Sequence, residues 1–411
     1  MGEWKRVKLG EICSRVCSGG TPRSNVAEYY EGGSIPWLNT KEVTFGRIYS
    51  TEKCITESGL ENSSAKWIEA NAVVVAMYGA TAGNVAITRI PLTTNQACCN
   101  LQINPEKADA DFVFYYLKWQ YHELCLLANG AAQQNLNAQV IKDFQIDLPD
   151  LPTQRRIAAV LGALDDKIEV NRKICENLEA QAQALFKAWF VDFEPFGGKR
   201  PEGWKMGKLG DVAAIRRESI TPDEMDEIVE HYSLPAFDES KFPAFDASES
   251  IKSNKFKIGK NSVLLSKLNP RIKRLWDPFV DTESAVASTE FVVFEPFKVA
   301  FRYFVYSVLD SEGLYQYSVA HAAGTTNSHQ RVTPDDILEY EIVLPAEEDI
   351  LKYCGVVEPM YASVKRCIKE SRALAAMRDA LLPKLMSGEL AVEKVEVGAC
   401  ASDAGQGTGE G

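Results

Sequence analysis

The sequence predicts an α+β chain made of two tandem copies of one unit, each a β-rich globular region followed by a long helix. Two observations carry this. Trp4, Lys8, Leu9 and Gly10 recur as Trp204, Lys208, Leu209 and Gly210, and Thr21-Pro22 recurs as Thr221-Pro222, all 200 positions on. Further along the offset drifts to 196: Ile141, Phe144, Ile146, Leu148 and Pro149 match Ile337, Tyr340, Ile342, Leu344 and Pro345. A period that long marks duplication of a whole domain, not a solenoid. The second observation is that each copy ends in a heptad pattern, and two such stripes in one chain pair most simply with each other, antiparallel.

The elements follow in order. The globular regions span 1–151 and 197–345. Their apolar, β-branched runs predict strands at Ala72–Met77, Asn84–Thr88, Phe144–Leu148, Ser262–Ser266, Glu290–Phe294 and Tyr340–Leu344. Apolar helical stretches, Phe112–Leu127 and Phe301–Leu309, lie between them. Residues Asn71–Ile90 and Asn261–Phe279 hold similar places in the two copies but differ in sequence, as expected of one scaffold carrying two binding surfaces.

The first long helix is expected over 152–196, with Thr153 as its cap. Its seam runs through Ile157, Leu161, Leu164, Ile168, Asn171, Cys175, Leu178, Ala182, Leu185 and Trp189, alternately four and three apart. Asn171 either fixes register or reaches solvent. The second helix, 346–386, carries Ile350, Cys354, Val357, Tyr361, Val364, Ile368, Leu382 and Leu385, and Pro359 is expected to kink or restart it. A helix of about 39 residues is about 58 Å long, about one and a half to two turns of B-DNA at about 34–36 Å per turn. The alternative is that each helix packs on its own domain or on another protein. Residues 387–411, with five acids against one lysine, are expected to form a disordered acidic tail.

Composition excludes several classes. At 411 residues, 45% hydrophobic and 25% charged, the chain suits a globular protein with more than one domain. No apolar run approaches the length of a membrane helix, and no secretory signal is visible at the start. Ten cysteines without a CxxC pair and four scattered histidines give no zinc spacing and suggest reduced thiols in a cytoplasm.

Catalytic motifs are missing. Gly19-Gly20-Thr21-Pro22 lacks the Gly-Lys-Ser/Thr of a P-loop, and Tyr78-Gly79-Ala80-Thr81-Ala82-Gly83-Asn84 lacks the dinucleotide spacing. Leu268-Asn269-Pro270-Arg271 is not an amino-methyltransferase motif, and Asp281-Thr282-Glu283 has no following lysine to complete a nuclease set. No catalytic, cofactor-binding or metal-ligating residue is therefore assigned.

What remains reads as a nucleic-acid surface, despite a net charge of −12, because binding depends on local patches. Between Ile251 and Leu275 stand eight bases and no acid: Lys252, Lys255, Lys257, Lys260, Lys267, Arg271, Lys273 and Arg274. The acidic run Asp223–Glu230 is expected to point away from DNA. In the first copy the candidates are Arg15, Ser18, Gly19, Thr21 and Arg23, whose loop would bring backbone N–H groups to phosphates. With them stand Thr81 and Asn84, and the amides Gln133, Gln134 and Asn135, of the type that pairs with adenine. The second copy offers Arg216, Arg217, Lys267, Asn269, Arg271, Lys273 and Arg274, then Thr325, Thr326, Asn327, Ser328, His329 and Arg331. Ordinary turns and solvated faces are the competing readings for each.

Taken together, this layout resembles the specificity (S) subunit of type I restriction–modification systems over about residues 1–386. The carrying features are the Trp-x-x-x-Lys-Leu-Gly opening of each half, the glycine loops at Gly130 and Gly324, and the Ile-x-Leu-Pro exit strand. To these add Leu151-Pro152-Thr153-Gln154-Arg155-Arg156-Ile157, Leu185-Phe186-Lys187-Ala188-Trp189-Phe190-Val191-Asp192-Phe193 and Leu382-Pro383-Lys384-Leu385-Met386-Ser387-Gly388. The resemblance implies two target recognition domains, each reading half of a split site in double-stranded DNA, with the helices as spacer. It implies two methyltransferase (M) subunits bringing S-adenosylmethionine, restriction (R) subunits joining for cleavage, and no catalysis or cofactor in this chain. Two alternatives stay open: a related system whose partner fuses nuclease and methyltransferase, and a coiled-coil adaptor that binds no DNA.

Overall fold

The computed structural model describes residues 4–129, 136–324 and 330–394. The chain divides into two compact units, Met1–Lys167 with Leu374–Gly411, and Ile168–Ala373. The long helices, Leu151–Phe190 and Glu347–Met386, contribute residues to both.

Each unit is closed by the same two-stranded clasp. In the first, Lys5–Lys8 pairs antiparallel with Gln145–Leu148, Lys5 opposite Leu148. In the second, Lys205–Lys208 pairs with Glu341–Leu344, Lys205 opposite Leu344. The next residue bonds the same way in both: Leu9 N–H to the Phe144 carbonyl at 2.9 Å, and Leu209 N–H to that of Tyr340 at 3.0 Å. Even the flanking ion pair repeats, as Lys8–Asp143 and Lys208–Glu339. The repeated Leu-Gly is explained by burial, since Leu9 and Leu209 are wholly enclosed.

The central sheets also correspond. Cys13–Ser18, Cys98–Ile103, Val73–Ala76 and Val85–Thr88 lie in that order in the first unit, followed by Arg47–Ile48. Ala213–Arg216, Phe291–Pro296, Val263–Ser266 and Leu275–Trp276 lie in the same order in the second. An apolar helix, Ala110–Trp119 or Arg302–Asp310, packs on each. The accessory sheets differ. The first unit adds three strands, Lys53–Ile55, Ile35–Leu38 and Thr93–Thr94. The second adds five, Ser219–Ile220, Lys255–Lys257, Ala285–Ser288, Ile228–Tyr232 and Ala244–Ala247.

Within each unit the helix segments run antiparallel. In the second unit Asn171 meets Glu370, Cys175 meets Val364, and Ala182 meets Tyr353, so one numbering falls as the other rises. In the first, Asp165 holds Arg378. Asn171 settles toward register: it is buried, and its Nδ2 donates to Glu370 at 2.8 Å.

Ile157, Leu161, Val357, Val364, Leu382 and Leu385 are buried as the heptads predict, but Leu164, Ile168, Leu178 and Leu185 are only half-buried. Phe186 and Phe190, both outside the heptad seam, are buried instead. Near its end the helix packs its flank against Phe304, Tyr353 and Trp204 as well as its seam against the partner helix, so its apolar face is wider than a coiled-coil stripe.

Two local expectations are corrected. The first helix begins at Leu151, and Asp150 caps it by accepting the Thr153 N–H at 2.8 Å. That bond and Thr153's hydroxyl hold the Asp150 carboxyl below its usual range. Pro359 does not restart the second helix, which is continuous over Glu347–Met386. The carbonyl deprived of a donor belongs to Gly355, which is exposed, so water can satisfy it.

Among the described residues, nine cysteines are free, no cluster of three metal-binding side chains occurs, and no helix is long and apolar enough to cross a membrane.

Candidate nucleic-acid interface

In the first unit three candidate segments reach one end of the central sheet. Ser18 stands opposite Cys99, and Cys98 opposite Ala76, so the loops after Ser18 and Ala76 leave side by side. Gly20 N–H donates to the Thr94 carbonyl at 2.9 Å, Gly19 N–H to that of Cys98 at 3.4 Å, and Met77 N–H to that of Ala97 at 2.8 Å. Leu136 N–H donates to the Met77 carbonyl at 3.0 Å, which brings the chain back to the same place.

The glycines of this loop serve packing. A Cβ on Gly19 would lie 2.1 Å from the Thr94 oxygen, and one on Gly20 would lie 2.2 Å from the Ala65 nitrogen. Their N–H groups are bound within the unit, which removes the phosphate-approach argument for Gly19. Thr21 is exposed and its hydroxyl meets the Gln96 amide oxygen; Arg23 is exposed, and Ser18 is half-buried. Thr81 ends a short 3-10 turn, Gly79–Thr81. Asn84 turns inward, giving Nδ2 to the Val43 carbonyl at 2.9 Å. Arg15 is not gathered here. It lies mid-strand opposite Gln102, with Nη1 on the Trp67 carbonyl at 3.2 Å.

The second unit repeats the arrangement. Arg216 stands opposite Val293 and Ser266 opposite Phe291, so Arg217 and the Lys267 hairpin leave the same end. Val332 N–H donates to the Lys267 carbonyl at 3.1 Å, the counterpart of Leu136 on Met77. Asn269 N–H reaches the Gln330 carbonyl at 2.7 Å, and Arg331 exchanges two 2.9 Å backbone bonds with Ala323. Asn269 holds a left-handed φ of 48°.

The charges are less free than the sequence suggests. Lys273 meets Asp310, Lys257 meets Glu218, and Arg274 forks onto Asp238 at 2.6 and 2.8 Å. Arg217 pairs with Asp335, Arg216 with Glu218 and Glu295, and Arg331 with Glu290. Lys255 is buried against Ser253, and burial pushes its pKa down. No ion pair among the described residues engages Lys252, Lys260, Lys267 or Arg271, leaving those four of the eight as open cations.

The acidic run also departs from expectation at its end. Glu230 points into the core, accepting the Tyr232 hydroxyl at 2.5 Å and the Thr282 N–H at 2.9 Å. Gln133, Gln134, Asn135 and Gly130, and Thr325, Thr326, Asn327, Ser328 and His329, lie outside the described residues, as does the tail from 395. Next to the first group, Asn137 is a helix cap, accepting two N–H bonds of 2.9 Å.

Sequence reasoning missed the exposed rings Tyr78 and Trp67, and it missed Glu290, which has a backbone bond to Lys267 at 3.0 Å. Two adjacent aromatic signals, Lys66-Trp67 and Met77-Tyr78, were available for the rings; nothing in sequence marks Glu290.

Comparison with known proteins gives a consistent picture. A family model described as the type I restriction modification DNA specificity domain matches residues 1–180. The type I restriction enzyme MjaIX specificity subunit of Methanocaldococcus jannaschii is 28% identical, over 96% of this chain and 95% of its own. The EcoR124I/EcoR124II specificity subunit of Escherichia coli is 29% identical over 40% of this chain and 41% of its own. The crystal structure of the S subunit from M. genitalium shares the fold, with a TM-score of 0.59 at 16% identity over 93% of this chain and 96% of that one. The duplicated clasp and sheet, the paired helices and these matches make the chain similar, over nearly its whole length, to type I restriction–modification specificity (S) subunits.

Proposed function

We propose that this chain is the DNA-reading subunit of its complex, with residues 1–151 and 197–345 as target recognition domains for the two halves of a bipartite site. The helices over 152–196 and 346–386 act as spacer and dock two methyltransferase subunits, which carry S-adenosylmethionine; restriction subunits join for cleavage, in the cytoplasm. The chain itself contributes recognition and no catalytic group.

The observation that carries this reading is the convergence, in each unit, of three segments at the same end of the same four-strand frame, with different residues in the two units. A frame kept constant while its loops change is what two different half-sites require. Polar side chains there, the exposed Thr21, Arg23 and Arg271 and the half-buried Thr81 and Lys267, suit base edges and phosphates. Apolar side chains left exposed on the helices, Val170, Ile174, Val356 and Met377, support a docking role.

The test is a methylome. The chain is co-expressed with its cognate methyltransferase subunit, and adenine methylation is mapped by long-read sequencing. A bipartite motif with a fixed gap is expected, and it should vanish without this chain. The same motif from the methyltransferase alone would end the DNA-reading proposal, and assembly with no sequence preference would favour the adaptor.

A second expectation concerns Arg271. Its replacement by glutamine should weaken binding of the assembled complex to all duplexes alike. It should also lower the slope of log affinity against log salt by about one, the share of a single phosphate contact. An unchanged slope would remove Arg271 from the interface.

A further inference from the structure

The basic side chains at the loop end of the second unit are not equivalent. Arg217 and Lys273 meet their carboxylates through single contacts recorded for each pair. Arg331 is held differently. Its Nε donates to Glu290 Oε2 at 3.1 Å and its Nη2 to Oε1 at 3.0 Å. That is the side edge of the guanidinium. The outer edge, Nη1 with the second hydrogen of Nη2, meets no hydrogen-bond partner among the described residues and keeps two parallel donors.

Two such donors match the N7 and O6 acceptors of guanine in the major groove. Arg274 makes the same side-edge fork on Asp238, but its side chain is only 13% exposed, against 45% for Arg331. Arg274 is thus a packed support, and Arg331 is accessible.

Both partners of the Arg331 pair are tied down. Arg331 is bridged through its backbone to Ala323 and stands opposite Leu268. Glu290 takes the Lys267 N–H on its carbonyl, and its own N–H donates to Ser288 Oγ at 3.3 Å. A fork held on one edge by a fixed carboxylate loses little freedom when it meets a base. The carboxylate also cancels the arginine's charge, which suits a group that reads bases better than one that neutralises phosphates.

We infer that Arg331 is a guanine-reading residue of the second unit, with Glu290 as its positioning residue. The inference rests on the DNA-reading role proposed above and deepens it to one residue and one base pair.

The experiment uses the full chain assembled with its methyltransferase subunit. Methylomes are compared for the native protein, Arg331→Ala, Arg331→Lys and Glu290→Gln. The native motif should contain a G·C pair that turns degenerate in Arg331→Ala while every other letter and the gap stay fixed. In competition binding, preference for that pair should fall from on the order of 5- to 150-fold to about 2-fold or less, with the salt slope unchanged.

Arg331→Lys should lose the same preference, because it keeps charge and loses the fork. Glu290→Gln should relax the same position in part. The inference is overturned if Arg331→Ala leaves every letter intact, if Arg331→Lys reads as the native protein does, or if methylation drops evenly at all sites with a smaller salt slope. A native complex that yields no bipartite motif would sink the DNA-reading role itself, a result distinct from those three.

Discussion

Replacing Phe190 by alanine should cost the second unit about 3–5 kcal/mol, the range for removing a buried aromatic side chain. Phe190 sits at the end of the first long helix with ring centroids of Phe304 at 5.2 Å, Tyr353 at 5.0 Å, Phe186 at 5.4 Å and Trp204 at 5.7 Å. These rings come from four different parts of the sequence, so none can follow a collapse without moving a whole element. The cavity would stay open, and the loss would include both transfer and cavity terms. Urea unfolding followed by tryptophan emission is the measurement, with Trp204 and Trp189 as reporters beside the cavity. The two units need not unfold together, so the shift is sought in the transition those tryptophans report. A loss under about 1 kcal/mol would mean that the cluster repacks freely.

Converting Asp277 to asparagine should be as damaging for an electrostatic reason. Its carboxylate is almost enclosed, with Lys365 Nζ at 2.8 Å, the Arg302 guanidinium against it and the Tyr303 hydroxyl at 3.3 Å. Lys365 also donates to the Pro278 carbonyl at 2.7 Å. Removing the one negative charge leaves two cations short of a partner in a poorly solvated place, at a cost of about 3–5 kcal/mol.

The pH dependence has a definite sign. Burial lowers the pKa of Lys365 from 10.5, and Asp277 partly restores it. A folded-state pKa below the unfolded one means that stability rises as pH climbs from the folded value toward 10.5. Without Asp277 the folded value drops further, so the penalty of Asp277→Asn should shrink on raising the pH into the alkaline range. Adding Lys365→Met to Asp277→Asn should recover part of the loss at neutral pH. If the two losses simply add, the charges do not act as a unit.

Much of the frame was legible in the sequence. Each of the six expected strands is present within one or two residues, for instance Val73–Ala76, Val85–Thr88 and Phe291–Pro296. Burial on both faces makes the central ones, Val73–Ala76, Val85–Thr88 and Val263–Ser266, nearly uninterrupted apolar runs. The accessory strands Ala244–Ala247 and Lys255–Lys257 carry Asp246 or flanking lysines and show no such run.

The candidate site was legible in composition and opaque in charge. The acids that neutralise Arg274 and Lys273 stand 36 and 37 residues away in the chain, so no sequence window reveals them. Likewise Gly19-Gly20 reads as an open loop until Thr94 and Ala65 are seen against it. Local pattern fixes which segments are strands and helices; the partner of a polar group is a property of the folded neighbourhood.

The two-stranded clasp has an evolutionary consequence. It brings the first and last strands of each globular region side by side in the same register, Lys5 against Leu148 and Lys205 against Leu344. Whatever lies between those strands is a closed excursion of the chain, anchored at one point. A recombination crossover within each clasp strand would transplant the whole excursion and leave the backbone pairing of the two strands and the helix entry as they were. Inheritance can therefore shuffle such cassettes wholesale, changing everything between the clasp strands in a single genetic event while the join remains sound.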